Sequence, residues 1–189
     1  MHSFWKAFAL WIVIFVVGGT IFVWSGIYNI AADDHHLATT IPIINTLRDR
    51  SIAMRDGDEH VPNLDDPALI GEGATQYAQH CAGCHRAPSM PDLNAQRRGM
   101  YPQPPLLAKI DVDNPQEAFW YIKHGIKMTA MPAWGLTFDD HKIWGLVAFV
   151  SRKLPKLSAA QYKQITQITA GAQGDAGNGR PAAAATVTR

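Results

Sequence analysis

The feature that most restricts the fold of this chain is an uncharged run near its N-terminus. No charged side chain occurs between Lys6 and Asp33, and the first half of this run is apolar on every face of a helix. A helix of that kind cannot lie on the surface of a globular domain. Trp5 and Trp24 would stand roughly 28 Å apart on it, close to the ~30 Å hydrocarbon thickness whose edges aromatic side chains favour. We therefore predict a transmembrane helix over residues 7–30 in a lipid bilayer.

A cleaved signal peptide is the competing interpretation of the same run. It requires an apolar core of about 7–15 residues and small residues at positions −3 and −1 of the cut. The two alanine cuts available would place Ile30 or Asn29 at position −3, so we favour an uncleaved anchor. Lys6 precedes the span and Asp33 follows it, a weak asymmetry that places residues 1–6 in the cytoplasm.

The rest of the chain is expected to form a linker, one compact domain and a tail. We divide the chain into a cytoplasmic stub (1–6), the transmembrane anchor (7–30), a juxtamembrane helix and linker (31–64), a compact domain (65–157) and a C-terminal extension (158–189). Residues 39–55 suit a short helix with Thr40 as N-cap and Pro42 in the first turn. This helix would rest on the membrane or on the domain, or dock a partner subunit. From Ala170 the tail has a single large apolar residue, a valine, so we expect the extension to be mostly disordered.

The compact domain is predicted to be all-α. Helices are predicted from N-terminal signals at three places, namely Asp65 or Asp66 with Pro67 (to about His80), Asn114 (to Lys123) and Thr137 (to Lys153). No segment between them alternates like a strand. The 17 Lys and Arg residues nearly balance 16 Asp and Glu, so the chain lacks the basic field of a nucleic-acid-binding protein.

The chemistry of the chain is indicated by the motif Cys81-Ala-Gly-Cys84-His85. This is the pattern for covalent attachment of a c-type haem, since two thiols one turn apart can reach both vinyl groups of one porphyrin while the adjacent imidazole binds iron. Two alternatives remain. Structural zinc usually needs two separated ligand pairs. A thiol–disulfide exchanger places Cys-x-x-Cys at a helix N-terminus within an α/β pattern, whereas this motif is predicted to end a helix.

A second iron ligand would decide between electron transfer and an open, reactive haem. Met131 is the favoured candidate, because Met131-Pro-Ala-Trp134 lies between Gly125 and Gly135, where no regular helix is expected and a thioether can be aimed at the iron. The weaker rivals are Met128, Met100, His80, His124 and His141.

Residues 65–157, about half of the chain, resemble a class I cytochrome c domain of the kind found in membrane-anchored bacterial cytochromes and related oxidase subunits. The resemblance implies one haem c attached through Cys81 and Cys84. It also implies His85 as the proximal and Met131 as the distal axial ligand of the haem iron.

The resemblance further implies how the haem pocket is built. A proline carbonyl accepts the proton of the proximal imidazole and so fixes its orientation; Pro105 matches this position, and Pro104 is the alternative. Leu107 and Trp134 would line the haem. The first and last helices would cross, with Gly73 and Tyr77 meeting Leu146 and Phe149.

These expectations predict a membrane-tethered one-electron carrier and not an enzyme in its own right. Its domain would face the periplasm from the bacterial inner membrane, with redox partners such as a membrane oxidase, a quinol-oxidising complex or a dehydrogenase. Two alternatives are a fixed cytochrome c subunit of a terminal oxidase or dehydrogenase complex and, with less support, a haem enzyme or gas sensor with an open distal site.

Overall fold

The structure is a computed structural model that describes residues 2–57, 59–88, 90–91 and 95–176, and these residues contain helices and no strands. The chain divides into two units, residues 1–36 and 37–189. The predicted all-α class is confirmed.

The first unit contains one long helix, α1 (His2–Ser25). Within Ser3–Ser25 the most apolar window of 18 residues has a mean hydropathy of 2.4, and the segment is long and apolar enough to cross a membrane. The helix ends before residue 30 because Gly26 adopts a left-handed φ of 62°, the conformation that commonly terminates a helix and that glycine adopts without a Cβ clash. The helix therefore begins and ends five residues earlier than the limits predicted for the span, 7–30.

The second unit is built from helices that are joined by turns and loops. They are α2 (Thr40–Ala53), α3 (Pro67–Gln76) continued by a π-helical turn (Tyr77–Cys81), α4 (Ala82–His85), α5 (Ala95–Arg98), α6 (Pro115–His124), α7 (Asp140–Ala148) continued by a π-helical turn (Phe149–Lys153), and α8 (Ala159–Ala176). Single 3₁₀ turns occupy Leu107–Lys109, Trp134–Leu136 and Leu154–Lys156.

Three helices begin at a side chain that accepts hydrogen bonds from the backbone N–H groups of the first turn. Asp66 caps α3 and Asn114 caps α6, which confirms two of the predicted starts. The start predicted at Thr137 is wrong, because Asp139 accepts from the backbone of Lys142 and caps α7 instead. The N-cap of α2 is Thr39, not Thr40, and its side chain makes no capping hydrogen bond.

The core of the second unit forms where α3 and α7 cross. The backbone of Gly73 lies directly against that of Gly145, with no room for a side chain between them. Beside this crossing, the rings of Tyr77 and Phe149 pack with centroids 5.5 Å apart, as the resemblance implied. On the other side, Phe119 of α6 stacks on Trp144 at 4.3 Å. These contacts fix α3, α6 and α7 around the segment that carries the Cys81–His85 motif.

The compact domain extends beyond Leu157, where the sequence placed its end. Tyr162 of α8 is only 5% exposed and meets Tyr77 edge-on at 6.4 Å. Residues 170–176, which we expected to be disordered, belong to α8, and residues 177–189 lie outside the described residues. Tyr162 and the partly buried Ile165 attach α8 to the hydrophobic core.

The linker before α3 is attached to α6. Ile52 near the end of α2 is buried. Asn114 Nδ2 donates to Asp56 Oδ2 at 3.0 Å, and Gln116 Nε2 donates to the Glu59 carbonyl at 2.9 Å. Ile52, Asp56 and Glu59 therefore hold the linker against the compact domain.

Candidate haem-binding site

The Cys81–His85 motif lies at the C-terminal end of the helical segment that begins with α3. Arg86 ends this segment immediately after His85, with a left-handed φ of 67°. The Tyr77 hydroxyl donates a hydrogen bond to the Arg86 carbonyl, which ties the turn back to the core. The motif thus ends a helix, as predicted, and is held beside the buried rings of Tyr77 and Phe149.

The two thiols of the motif are half-buried. Burial, with a smaller contribution from the neighbouring Cys84, raises the pKa of the Cys81 thiol to about 12. Redox-active cysteines have lowered pKa values because the thiolate is the nucleophile. The surroundings of Cys81 therefore weigh against a thiol–disulfide exchanger.

The imidazole of His85 is oriented by one hydrogen bond, from Nδ1 to the carbonyl oxygen of Pro105 at 2.9 Å. Because a carbonyl can only accept, the proton is on Nδ1 and the lone pair is on Nε2, the atom that can bind a metal. Burial is the main cause that lowers the pKa of His85, and the charge of Arg97 acts in the same direction. Both favour the neutral imidazole that an iron ligand requires.

The neighbouring carbonyl, that of Pro104, is bound by Arg97. The Arg97 guanidinium is only 4% exposed, and its Nη1 donates to the Cys84 carbonyl at 2.5 Å and to the Pro104 carbonyl at 2.8 Å. Arg97 therefore joins the attachment motif to the segment 101–107, which we call the proline loop and whose Pro105 carbonyl orients His85. Sequence reasoning missed this residue, because nothing in the local pattern of residues 86–98 distinguishes a buried arginine from a solvated one.

Replacing Arg97 with methionine is expected to lower the free energy of unfolding by about 1–3 kcal/mol, because two part-buried carbonyls lose a charged donor. Guanidinium chloride denaturation, followed by circular dichroism, measures this loss. Arg97→Lys is the matched control, since an ammonium group can keep one of the two bonds and should lose less. Equal stability of the methionine variant and the parent would contradict this role of Arg97.

The loop that carries Met131 is closed by its own backbone. Gly125 ends α6 with φ of 64°, and a Cβ there would lie 2.6 Å from the Pro132 carbonyl carbon. The Thr129 hydroxyl donates to the Ile126 carbonyl at 2.8 Å and accepts from the Met131 N–H at 3.1 Å. Within this loop Met131 is half-buried, whereas Met128 is 89% exposed. Of the two methionines, only Met131 has the burial that an axial ligand needs, and its ligation stays a prediction.

Two further residues assigned to the haem pocket contact the same hydrophobic core as Cys81, namely Leu107 and Trp134. The indole of Trp134 stacks on Phe138, with centroids 5.0 Å apart, and lies 5.4 Å from the His80 ring. Cys81, Leu107 and Trp134 therefore all pack against this core. Their contact with a haem remains a prediction.

The histidines considered as rival ligands have other surroundings. His80 packs on Trp134 and Phe138. His124 is exposed beside Trp120, and His141 Nε2 lies 3.1 Å from the Glu72 carboxylate. These contacts favour Met131 over a second imidazole.

The donor set as a whole fits a covalently attached haem. Two thiols stand one helical turn apart, and the adjacent imidazole has Nε2 available as a metal ligand. Among the described residues, no group of three or more His, Cys, Asp and Glu side chains is placed to hold a metal ion.

Comparison with known proteins gives one match. Residues 68–150 match the family model of cytochrome C oxidase, cbb3-type, subunit III. No curated protein and no solved structure matches the chain. The matched segment includes the attachment motif, the proline loop, the Met131 loop and the helices from α3 to α7. Residues 68–150 are therefore a class I c-type cytochrome domain, a kind of domain that implies covalently bound haem c.

Proposed function

We propose that this protein is a membrane-anchored one-electron carrier with a single haem c, attached through Cys81 and Cys84 and ligated by His85 and Met131. The observation that carries the proposal is the hydrogen bond from His85 Nδ1 to the Pro105 carbonyl at 2.9 Å. It leaves Nε2 as the metal-binding atom of an imidazole that directly follows two thiols one helical turn apart. This arrangement has no evident use apart from a haem.

The haem supplies an iron that gains or loses one electron. The residues of the chain determine what else that iron can do. His85 and Met131 would occupy both axial positions, which disfavours binding of oxygen or peroxide and leaves electron transfer as the reaction. Leu107 and Trp134 would exclude water from the pocket, and exclusion of water, like a thioether ligand, favours the reduced state.

The length and hydropathy of α1 support its use as the membrane anchor, with the cytochrome domain in the periplasm of a bacterial inner membrane. A tether of this kind raises the local concentration of the domain near membrane-bound redox partners. Such partners would be an oxidase, a quinol-oxidising complex or a dehydrogenase.

A second candidate function is that of a fixed subunit in a terminal oxidase complex. The description of the matching family, a subunit of a cbb3-type oxidase, favours it. The reaction at the haem would be the same in both cases, so the two candidates differ only in whether the domain exchanges partners or keeps one.

The visible spectrum of the purified full-length protein tests the haem assignment. We expect one haem per chain that denaturation does not release, and, in the oxidised protein, the weak far-red charge-transfer band of methionine ligation. The reduced protein should not bind carbon monoxide. A colourless protein, or one that binds the gas readily, would contradict the proposal.

Purification in a mild detergent separates the two candidates. A free carrier should elute at the mass of one 20.8 kDa chain plus detergent. A fixed subunit should elute with other haem proteins in constant ratio.

A further inference from the structure

Exposed apolar side chains of the second unit are concentrated on and around α2. Ten large hydrophobic residues are exposed among the side chains that the structure describes between residues 37 and 167, and six of them lie within residues 37–54: Leu37, Ile41, Ile43, Ile44, Leu47 and Met54. A contiguous exposed apolar patch of this kind is typical of an interaction surface.

The patch has a defined orientation on the helix. α2 attaches to the domain through Ile52, which is 2% exposed, while Ile43, Leu47 and Met54 are 69%, 70% and 82% exposed. The spacings of four and seven residues place these three side chains on one face, which points away from the face that carries Ile52. We call Ile43, Leu47 and Met54 the outer stripe.

Within residues 37–55 the charges beside the outer stripe are mostly positive, and Asp56, just beyond them, accepts a hydrogen bond from Asn114 of α6. Residues 37–55 contain three arginines and one acid, a net charge of +2. The acid, Asp49, is paired with Arg48 at 2.8 Å, while Arg50 and Arg55 are exposed. An apolar stripe with flanking cations is the pattern of a helix that lies in the interface of an anionic membrane.

The chain also limits how far α2 can be from a bilayer crossed by α1. The connection between the two helices, residues 26–39, spans at most ~50 Å when fully extended. We propose that the outer stripe of α2 lies on the membrane surface, with Arg50 and Arg55 against anionic phospholipid headgroups. This inference rests on the proposed membrane anchoring by α1.

Fluorescence quenching in vesicles tests the inference. The full-length protein carrying Leu47→Cys, labelled with an environment-sensitive fluorophore, is reconstituted into phosphatidylcholine vesicles that contain phosphatidylglycerol. The label should be quenched by lipids bearing a shallow nitroxide and protected from aqueous iodide. Asp49→Cys is the matched control, because it lies two residues further on the same helix and faces away from the stripe; its label should respond to iodide. Ile43→Cys repeats the test at a second stripe position if the first variant fails to fold.

Two results would overturn the inference. One is a label at position 47 that iodide quenches as strongly as the label at position 49. The other is a label shielded from iodide and from lipid nitroxides alike, which would mean that a protein covers the stripe.

Failure of the anchor is read separately. If α1 does not span the bilayer, the protein will not float with vesicles after alkaline carbonate extraction. A protein that floats and has its normal haem spectrum, but exposes position 47 to water, refutes the role of α2 alone.

Discussion

Replacing Met131 with alanine is expected to convert the haem from a closed to an open site. Without the thioether, the reduced iron would bind carbon monoxide stoichiometrically, and the oxidised protein would lose the far-red charge-transfer band. The midpoint potential should fall by on the order of 0.1 V, a part of the ~0.8 V range that axial ligands set, because a thioether favours the ferrous state. Carbon monoxide difference spectra and a spectroelectrochemical titration measure both effects.

Met128→Ala is the matched control for this experiment. Met128 lies three residues earlier in the same loop and is 89% exposed, so its loss should leave the spectrum, the potential and the absence of carbon monoxide binding unchanged. If the two variants exchanged these behaviours, the axial ligand would be Met128. If neither variant changed, the sixth ligand would have to come from elsewhere in the chain.

The parts of the fold that the sequence predicted correctly are those that depend on neighbouring residues. Asp66 and Asn114 cap their helices through backbone N–H groups two or three positions away, so a local pattern is enough to find them. The Cys81–His85 motif is local for the same reason. The resemblance to a known family added the contacts between distant segments, such as the bond from His85 to Pro105.

Most of what the sequence missed depends on contacts across the fold. Arg97 is a surface-type residue by composition, and it is buried only because the Cys84 and Pro104 carbonyls converge on it. Tyr162 belongs to the core because a space next to Tyr77 accepts it. At the start of α7, Thr137 and Asp139 are both reasonable caps, and the 3₁₀ turn that already includes the Thr137 N–H, bonded to the Trp134 carbonyl, decides for Asp139. Arg97 and Tyr162 could not be found without the positions of partners distant in the chain, whereas at the start of α7 two neighbouring cap candidates compete locally.

Alanine substitutions at three glycines should destabilise the domain to increasing degrees, least at Gly57, more at Gly145 and most at Gly73. A Cβ at Gly57 meets nothing within 4 Å, so Gly57→Ala should leave the denaturation midpoint nearly unchanged and serves as the control. A Cβ at Gly145 would lie 3.2 Å from the Leu69 carbonyl oxygen, a tight contact that small shifts can relieve. Overpacking of that degree typically costs about 1–3 kcal/mol.

Gly73→Ala is expected to destabilise the domain most of these three substitutions. Its Cβ would overlap the carbonyl group of Gly145 and reach 3.0 Å from the Leu146 nitrogen, and backbone atoms cannot move aside by changing a rotamer. The two helices would have to separate, and the Tyr77–Phe149 contact would open with them. Since a domain of this size is stable by only about 5–15 kcal/mol, we expect little folded protein, measured as the yield of haem-containing chain and its denaturation midpoint. A Gly73→Ala protein as stable as Gly57→Ala would mean that α3 and α7 do not cross at these glycines.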